Sequence, residues 1–288
     1  MPEDLTDESS GATVELAVGG AQPPRALVER QDLRDHLPGL EPDRRITDWG
    51  RSERVEGLVD RTLYDFLYHY WFRVEAEGVE NVPGDGGALL VCNHGGALPP
   101  DGIMVAKAIR ELHPRRRHVH LAVQRAFQQV PMLGMLLTKI GGVPAHPANI
   151  HRLLFDEQQL VLAFPEGRGA TDKPLKERYR LRRFEDPTLI GAAVRARVPI
   201  VPVAVVGAEE AEPLFGRIRV LIRLPKLPVG PIVPLPAKFR IRFLEPISTD
   251  DLGATDEPLV RTLSEDIRAL IQENVLELVA GRRSVWLG

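Results

Sequence analysis

Apolar residues recur along this chain in two rhythms, and the switch between them outlines a fold. From Leu58 to Trp71 the set Val59, Leu63, Phe66, Leu67, Tyr70 and Trp71 falls at helical spacing, which predicts an amphipathic helix rich in aromatics. Short apolar runs follow: Phe72–Ala76, Ala88–Cys92, Val119–Val123, Leu160–Phe164, Ile200–Val206 and Phe239–Phe243. Each has the length of a strand. Helical patterns lie between them, including Asp101–Leu112, and a last one carries Leu259, Leu263, Ile267, Leu270, Ile271 and Leu278 before Gly281, a residue suited to ending a helix. Strands alternating with helices predict an α/β fold, a central mixed sheet flanked by helices and preceded by the N-terminal amphipathic helix. No internal repeat is visible.

Residues 1–48 follow neither rhythm. They mix acidic residues with Gly, Pro and Ser and hold few aromatics, so a disordered leader is expected there. One domain over residues 49–288 should follow, ending in a helix over about 256–280, because single α/β domains of this size are routine. The single cysteine, Cys92, excludes an intramolecular disulfide. The acidic start lacks the basic and apolar blocks of a signal peptide, which points to a cytoplasmic protein. No stretch reaches about 18 uninterrupted apolar residues, so any membrane contact should be peripheral. The net charge of −3 hides an uneven layout, +10 over residues 101–250 and −13 over the remainder. The middle of the chain therefore favours anionic partners: lipid head groups, a phosphate-bearing carrier or nucleic acid.

Two segments carry candidate chemistry. In the first, Leu90–Val91–Cys92–Asn93–His94–Gly95–Gly96–Ala97–Leu98–Pro99–Pro100–Asp101, a buried strand runs into a Gly and Pro loop and then a helix. Ligands bind at strand ends of this kind. An imidazole there can act as general base near neutral pH, and a carboxylate on its other nitrogen would fix the tautomer and stabilise the imidazolium. The alternative is that Asp101 is only a helix cap and His94 a hydrogen-bonded loop residue. Cys92 reads as a core thiol rather than a nucleophile paired with His94. In the second segment, Phe164–Pro165–Glu166–Gly167–Arg168, a carboxylate and an arginine follow another apolar strand. A basic run comes next, Lys173, Lys176, Arg178, Arg180, Arg182 and Arg183, interleaved with Tyr179, Leu181 and Phe184. Such a run is either a solvated face or an anion site.

The Asn93–His94 pair with Asp101 downstream, followed by Phe164–Pro165–Glu166–Gly167, resembles the glycerolipid or lysophospholipid acyltransferase family. Pro131–Met132–Leu133–Gly134 leading to Gly141–Gly142–Val143, and Val198–Pro199–Ile200–Val201–Pro202–Val203, are similar to two further blocks of that family. The resemblance covers roughly residues 72–247, in the expected order, and four ordered motifs are far more specific than one. It implies a mechanism in which His94 takes the proton of an acceptor hydroxyl, Asp101 orients it, and the oxygen attacks an acyl thioester without a covalent acyl-enzyme. By the same resemblance Glu166 and Gly167 contact the acceptor with Arg168 as an anion contact, and Arg125 and Asn93 join them as expected substrate-binding residues. The implied co-substrate is acyl-CoA or acyl carrier protein, and the other partners are a lipid acceptor and a membrane surface rather than nucleic acid.

Two features depart from the usual family pattern. Six residues separate His94 from Asp101 where four are usual, as in the branch that includes monoacylglycerol- and diacylglycerol-acyltransferase-like members. After Gly142 the chain offers Val143–Pro144–Ala145–His146 in place of the arginine with which many phosphatidate-forming members hold glycerol phosphate. No metal and no cofactor are expected, since the histidines show no paired spacing with cysteine or carboxylates, although His118 and His120 alternate along one run. Membrane anchors are expected at Tyr64, Tyr68, Tyr70 and Trp71, with a second apolar patch from Ala126 to Leu137 flanked by Arg125 and Lys139. Two other functions remain open at this level: a thioesterase that uses water at the same base, and a non-catalytic lipid-binding or scaffolding protein.

Overall fold

The computed structural model describes residues 47–95, 100–124, 132–171, 173, 175–185, 187–213, 216–218, 227–229, 231, 233–252 and 257–286. The leader expected over residues 1–48 lies outside them except for its last two residues, as do Arg125 and the 126–131 part of the second apolar patch.

Ser52 caps α1 (Glu53–Val59) by accepting the Val55 N–H, and the helical path continues in π-type turns at Asp60–Tyr64 and Leu67–Trp71. The expected aromatic helix is present, but it begins at Glu53 because the cap sits there. It ends at Phe72. That side chain is fully buried against Phe239, ring centroids 4.4 Å apart, and Arg73 turns the backbone with a φ of 45°. β1 (Glu75–Glu77) consequently starts later than the run Phe72–Ala76 suggested.

In chain order there follow β2 (Ala88–Cys92), α2 (Pro100–Leu112), β3 (Val119–Val123), α3 (Leu133–Lys139), β4 (Gly142–Pro144), α4 (Pro147–Phe155), β5 (Leu160–Ala163) and α5 (Arg168–Thr171). Then come α6 (Thr188–Ala196), β6 (Ile200–Val206), α7 (Ala208–Ala211), β7 (Gly216–Ile218), β8 (Leu227–Val229), β9 (Arg240–Phe243) and α8 (Glu257–Ala280). Seven strands form one sheet in the order β1-β9-β6-β2-β5-β3-β4. Every neighbouring pair is parallel except β6 with β9, which run antiparallel. The sheet is therefore mixed, as expected. β4 and the β7–β8 hairpin were not expected as strands, because three-residue segments containing glycine or proline show no alternation to read.

β2, β5 and β6 are buried along their whole length, which explains why they read as continuous apolar runs. Alternate residues feed two cores. Leu90, Cys92, Leu162 and Val203 pack with Met104, Val105 and Ile109 of α2 on one face. Leu89, Val91, Val161 and Ala163 pack on the other face with Ile150 and Leu154 of α4, Ile190 of α6, and Ile267 and Ile271 of α8. Burying each such Leu, Ile or Val contributes roughly 1.5–3 kcal/mol before entropy is counted. β2 lies between β5 and β6, with Val91 level with Ala163 and Cys92 level with Val203. The loops that leave the carboxyl ends of these three parallel strands are thereby brought side by side.

Candidate active site

Asn93 is the first residue beyond β2, and its amide clasps β6: Nδ2 donates to the Val205 carbonyl at 2.9 Å while the Val205 N–H donates to Oδ1 at 2.8 Å. The amide is thus committed to the backbone of a neighbouring strand instead of reaching toward a substrate. This clasp fixes where His94 leaves the sheet.

Asp101 lies in the first turn of α2 and is fully buried. Its Oδ2 accepts from His94 Nδ1 at 2.8 Å and from the Gly95 N–H at 3.0 Å, and Oδ1 accepts from the Gly102 N–H at 2.8 Å. The same carboxylate thus bonds the first turn of α2 and the His94 ring. The six-residue spacing still lets the pair meet. Since an ionised carboxylate only accepts, Nδ1 carries the ring proton, and Nε2 is left with the lone pair. Phe164 supports the imidazole with its ring centroid 4.7 Å away.

Burial pulls His94 toward its neutral form, but the charges of Asp101, Glu166 and Glu212 outweigh it, and the pKa lies above the ordinary imidazole value. Cys92 is fully buried, and burial together with Asp101 and Glu166 pushes its thiol well up. It stays a thiol of the core, as expected.

Glu166, beyond β5, is fully buried. Oε1 accepts the His94 N–H at 3.2 Å; Oε2 accepts the Arg182 N–H at 2.6 Å and lies 3.3 Å from Lys173 Nζ. Both oxygens therefore hold the site together. Gly167 turns the chain with a φ of +59°, and a Cβ there would meet a Glu185 carboxylate oxygen at 2.4 Å. Arg168 opens α5, which places its backbone next to this turn; Arg125 is outside the described residues.

The third strand end was not anticipated. After β6 and Gly207, Glu209 receives Lys173 Nζ at 2.8 Å and the Tyr179 N–H at 2.5 Å. Glu210 meets the Tyr179 hydroxyl and Arg282, and Gln272 of α8 bonds the backbone of Tyr179 and Leu181. A strand followed by glycine and a carboxylate occurs at all three ends, and that repetition was the signal available in the sequence. Within the basic run, Lys173, Leu181 and Phe184 are buried, whereas Lys176, Arg178, Arg180, Arg182 and Arg183 are exposed.

Gly95 shows how closely the parts fit. A Cβ there would lie 2.8 Å from the Glu209 backbone nitrogen and 2.6 Å from its Cγ. Gly95→Ala is accordingly expected to push α7 and the His94 loop apart and to lower turnover by on the order of 10–10². Steady-state kinetics check this, and wild-type rates in the variant would show that the close packing is unnecessary.

Among the described residues, one group could hold a metal: Asp65, His69 and Glu111. Lys107 Nζ already bonds Asp65 and sits 2.7 Å from Glu111 and 3.2 Å from Asp60, so a cation is built in. His118 lies just before β3, and burial first, then its neighbour His118, lowers the pKa of His120 to about 3.

Of the expected membrane anchors, Tyr70 is exposed, but Tyr68 is buried in the core and Trp71 bonds the Pro234 carbonyl. Burial pushes the Tyr64 phenol far up. The exposed apolar set on this helix is instead Leu58, Leu63, Phe66 and Tyr70. Met132, Met135 and Leu136 are exposed around α3, which packs beside α1 and accepts the Ser52 N–H at the Lys139 carbonyl. No helix among the described residues is long and apolar enough to cross a membrane.

Compared with known proteins, residues 73–206 match the sequence profile of the family described as Acyltransferase. The chain is 38% identical over 271 residues to an uncharacterised protein of Mycobacterium tuberculosis, an alignment covering 89% of this chain and 75% of that protein. It is 27% identical over 178 residues to the 1-acyl-sn-glycerol-3-phosphate acyltransferase of Bacillus subtilis, covering 58% of this chain and 80% of that one. Its fold is similar to that of the crystal structure of the 1-acyl-sn-glycerophosphate (LPA) acyltransferase PlsC from Thermotoga maritima, with a TM-score of 0.54, 20% identity and 80% of each chain covered.

Proposed function

This chain belongs to the glycerolipid acyltransferase family, and from that premise we propose that it transfers a fatty acyl group from a thioester to the hydroxyl of a glycerolipid or lysophospholipid, with His94 as general base. The observation that carries the reading is the buried His94–Asp101 pair at 2.8 Å, which holds Nδ1 and leaves Nε2 to receive a proton. In this scheme Nε2 takes the acceptor's O–H proton as the oxygen attacks the thioester carbonyl carbon. The tetrahedral intermediate then breaks its C–S bond, and the leaving thiolate regains the proton from the imidazolium. The ester and a free thiol are the products. Glu166 contributes by fixing the His94 backbone, so that the base and the bound substrates keep their alignment.

The donor is a thioester of coenzyme A or acyl carrier protein. Both carry phosphate, and the exposed Lys176, Arg178, Arg180, Arg182 and Arg183 lie on the segment that Glu166 and Glu209 anchor, which supports an anionic carrier docking there. For the acceptor, the names of two enzymes similar to this chain specify 1-acylglycerol phosphate, whereas Val143–Pro144–Ala145–His146 supplies no arginine. An uncharged acylglycerol therefore stands beside the lysophospholipid as acceptor. Mass spectrometry of products from a panel of both acceptor types, with each donor, tests the reading. Acylated lipid supports it, and free fatty acid as the sole product in every mixture would overturn it in favour of a thioesterase.

The pH dependence follows from the charge around the ring. Below its pKa His94 is an imidazolium and accepts no proton, so kcat/KM is expected to rise with pH through a midpoint above the ordinary imidazole value. A pH-independent rate across that range would exclude His94 as the base.

Leu58, Leu63, Phe66 and Tyr70, with Met132, Met135 and Leu136, supply an apolar surface suited to insertion among head groups. Leu63→Asp and Phe66→Asp are each expected to weaken binding to anionic phospholipid vesicles by about 10-fold, the loss of roughly one partly buried apolar side chain. Flotation measures this. Unchanged binding of both variants would place the membrane contact elsewhere.

A further inference from the structure

Lys173 stands apart from the rest of the basic run. The arginines from 178 to 183 reach solvent, but the Lys173 side chain is 4% exposed, with its Nζ 3.3 Å from Glu166 and 2.8 Å from Glu209, themselves 0% and 13% exposed. A buried ammonium is costly unless paired, and a buried carboxylate likewise. Here one cation serves two carboxylates that come from different strand ends, Glu166 after β5 and Glu209 after β6. Glu166 in turn accepts the His94 N–H, and Glu209 packs where a Gly95 side chain would stand.

We propose that Lys173 is a positioning residue of this site: its ammonium ties Glu166 to Glu209, holds the carboxylate that fixes the His94 backbone, and offsets the negative charge facing the imidazole. This rests on the reading of His94 as the base, and adds to it the residue that sets when the base is ready. Among the described residues, the charges that act on the ring come from Asp101 of α2, Glu166 beyond β5 and Glu212 after α7, while Cys92 on β2 faces Asp101 and Glu166, and Glu209 of α7 packs against Gly95 next to the histidine. Lys173 is the cation seen bonded to two of these carboxylates. Burial raises the Glu209 pKa, and Lys173 with the Tyr179 N–H counters only part of that. Removing Lys173 would leave buried negative charge beside His94 and keep the imidazole protonated to higher pH. Removing the Glu209 charge while keeping its shape would do the reverse.

The test is an NMR titration of histidine-labelled full-length protein, with the His94 signal assigned from its absence in His94→Gln. It needs no substrate, so its result is independent of the acyl-transfer reading, which the product assay tests separately. Lys173→Met is expected to raise the His94 midpoint by about half a pH unit or more, Lys173→Arg to restore it, and Glu209→Gln to lower it. In the transferase assay the acid limb of kcat/KM should move with the same signs. An unmoved midpoint in Lys173→Met, or turnover that falls without any shift, reduces Lys173 to a packing role and overturns the proposal. If Lys173→Met does not fold, Glu209→Gln decides: a downward shift upholds the proposal and an unchanged or raised midpoint ends it.

Discussion

His94→Ala is expected to lower the acyl-transfer rate by on the order of 10²–10⁴, the contribution of a positioned general base if the proposed role holds, and to leave the protein folded. The expectation for folding follows from what remains. Asp101 keeps the Gly95 and Gly102 N–H groups as donors, so no buried carboxylate is left without partners. The losses are the ring's contact with Phe164 and one hydrogen bond, together roughly 1–3 kcal/mol. Thiol release from an acyl thioester measures the first part and urea unfolding the second. Turnover equal to wild type would remove His94 from the chemistry. A variant that fails to fold would show instead that the imidazole is a structural keystone of the β2 loop.

Glu166→Ala is expected to be the most damaging change to stability. It strips acceptors from the buried N–H groups of His94 and Arg182 and takes away one of the two carboxylates bonded to Lys173. Removing one partner of a buried ion pair costs about 3–5 kcal/mol, equivalent to a fall in melting temperature on the order of 10 °C for a domain of this size. Activity should fall with it, because the His94 backbone loses its anchor. Glu166→Gln should do less harm, since its amide oxygen can still accept one of the two N–H bonds. A melting temperature for Glu166→Ala within a degree or so of wild type would contradict the buried arrangement described above. Glu166→Gln also separates positioning from acceptor contact: a loss confined to the acceptor KM favours contact, and a loss in kcat favours positioning.

The motif glutamate shows what kind of information was missing before the fold was known. Its place at a strand end and the family resemblance made Glu166 a candidate, but its partners come from segments up to 72 residues away, and pattern alone does not say which way a carboxylate turns. The same holds for Asn93, whose amide is occupied by Val205 across the sheet. Lys173 was visible only as one member of a charged run, since burial is decided by what folds over a side chain. Tyr68, Tyr70 and Trp71 were expected together as membrane anchors, but in the π-type turn Tyr70 faces out while Tyr68 is buried and Trp71 donates to the Pro234 carbonyl.

Read by itself, the chain determined the alternation of strands and helices, the central buried strands, the long C-terminal helix, and the pair of motifs that hold His94, Asp101 and Glu166. These follow from local causes: side-chain period, strand length, and the turn-forming residues at strand ends. The tertiary structure decided the order of strands, which sets the carboxyl ends of β2, β5 and β6 next to one another. It also decided which charges are buried and paired, and brought in Glu209 and its neighbours as a third wall. Those outcomes depend on contacts between residues distant in the chain, where hydrogen-bond geometry and desolvation, rather than sequence spacing, choose the partner.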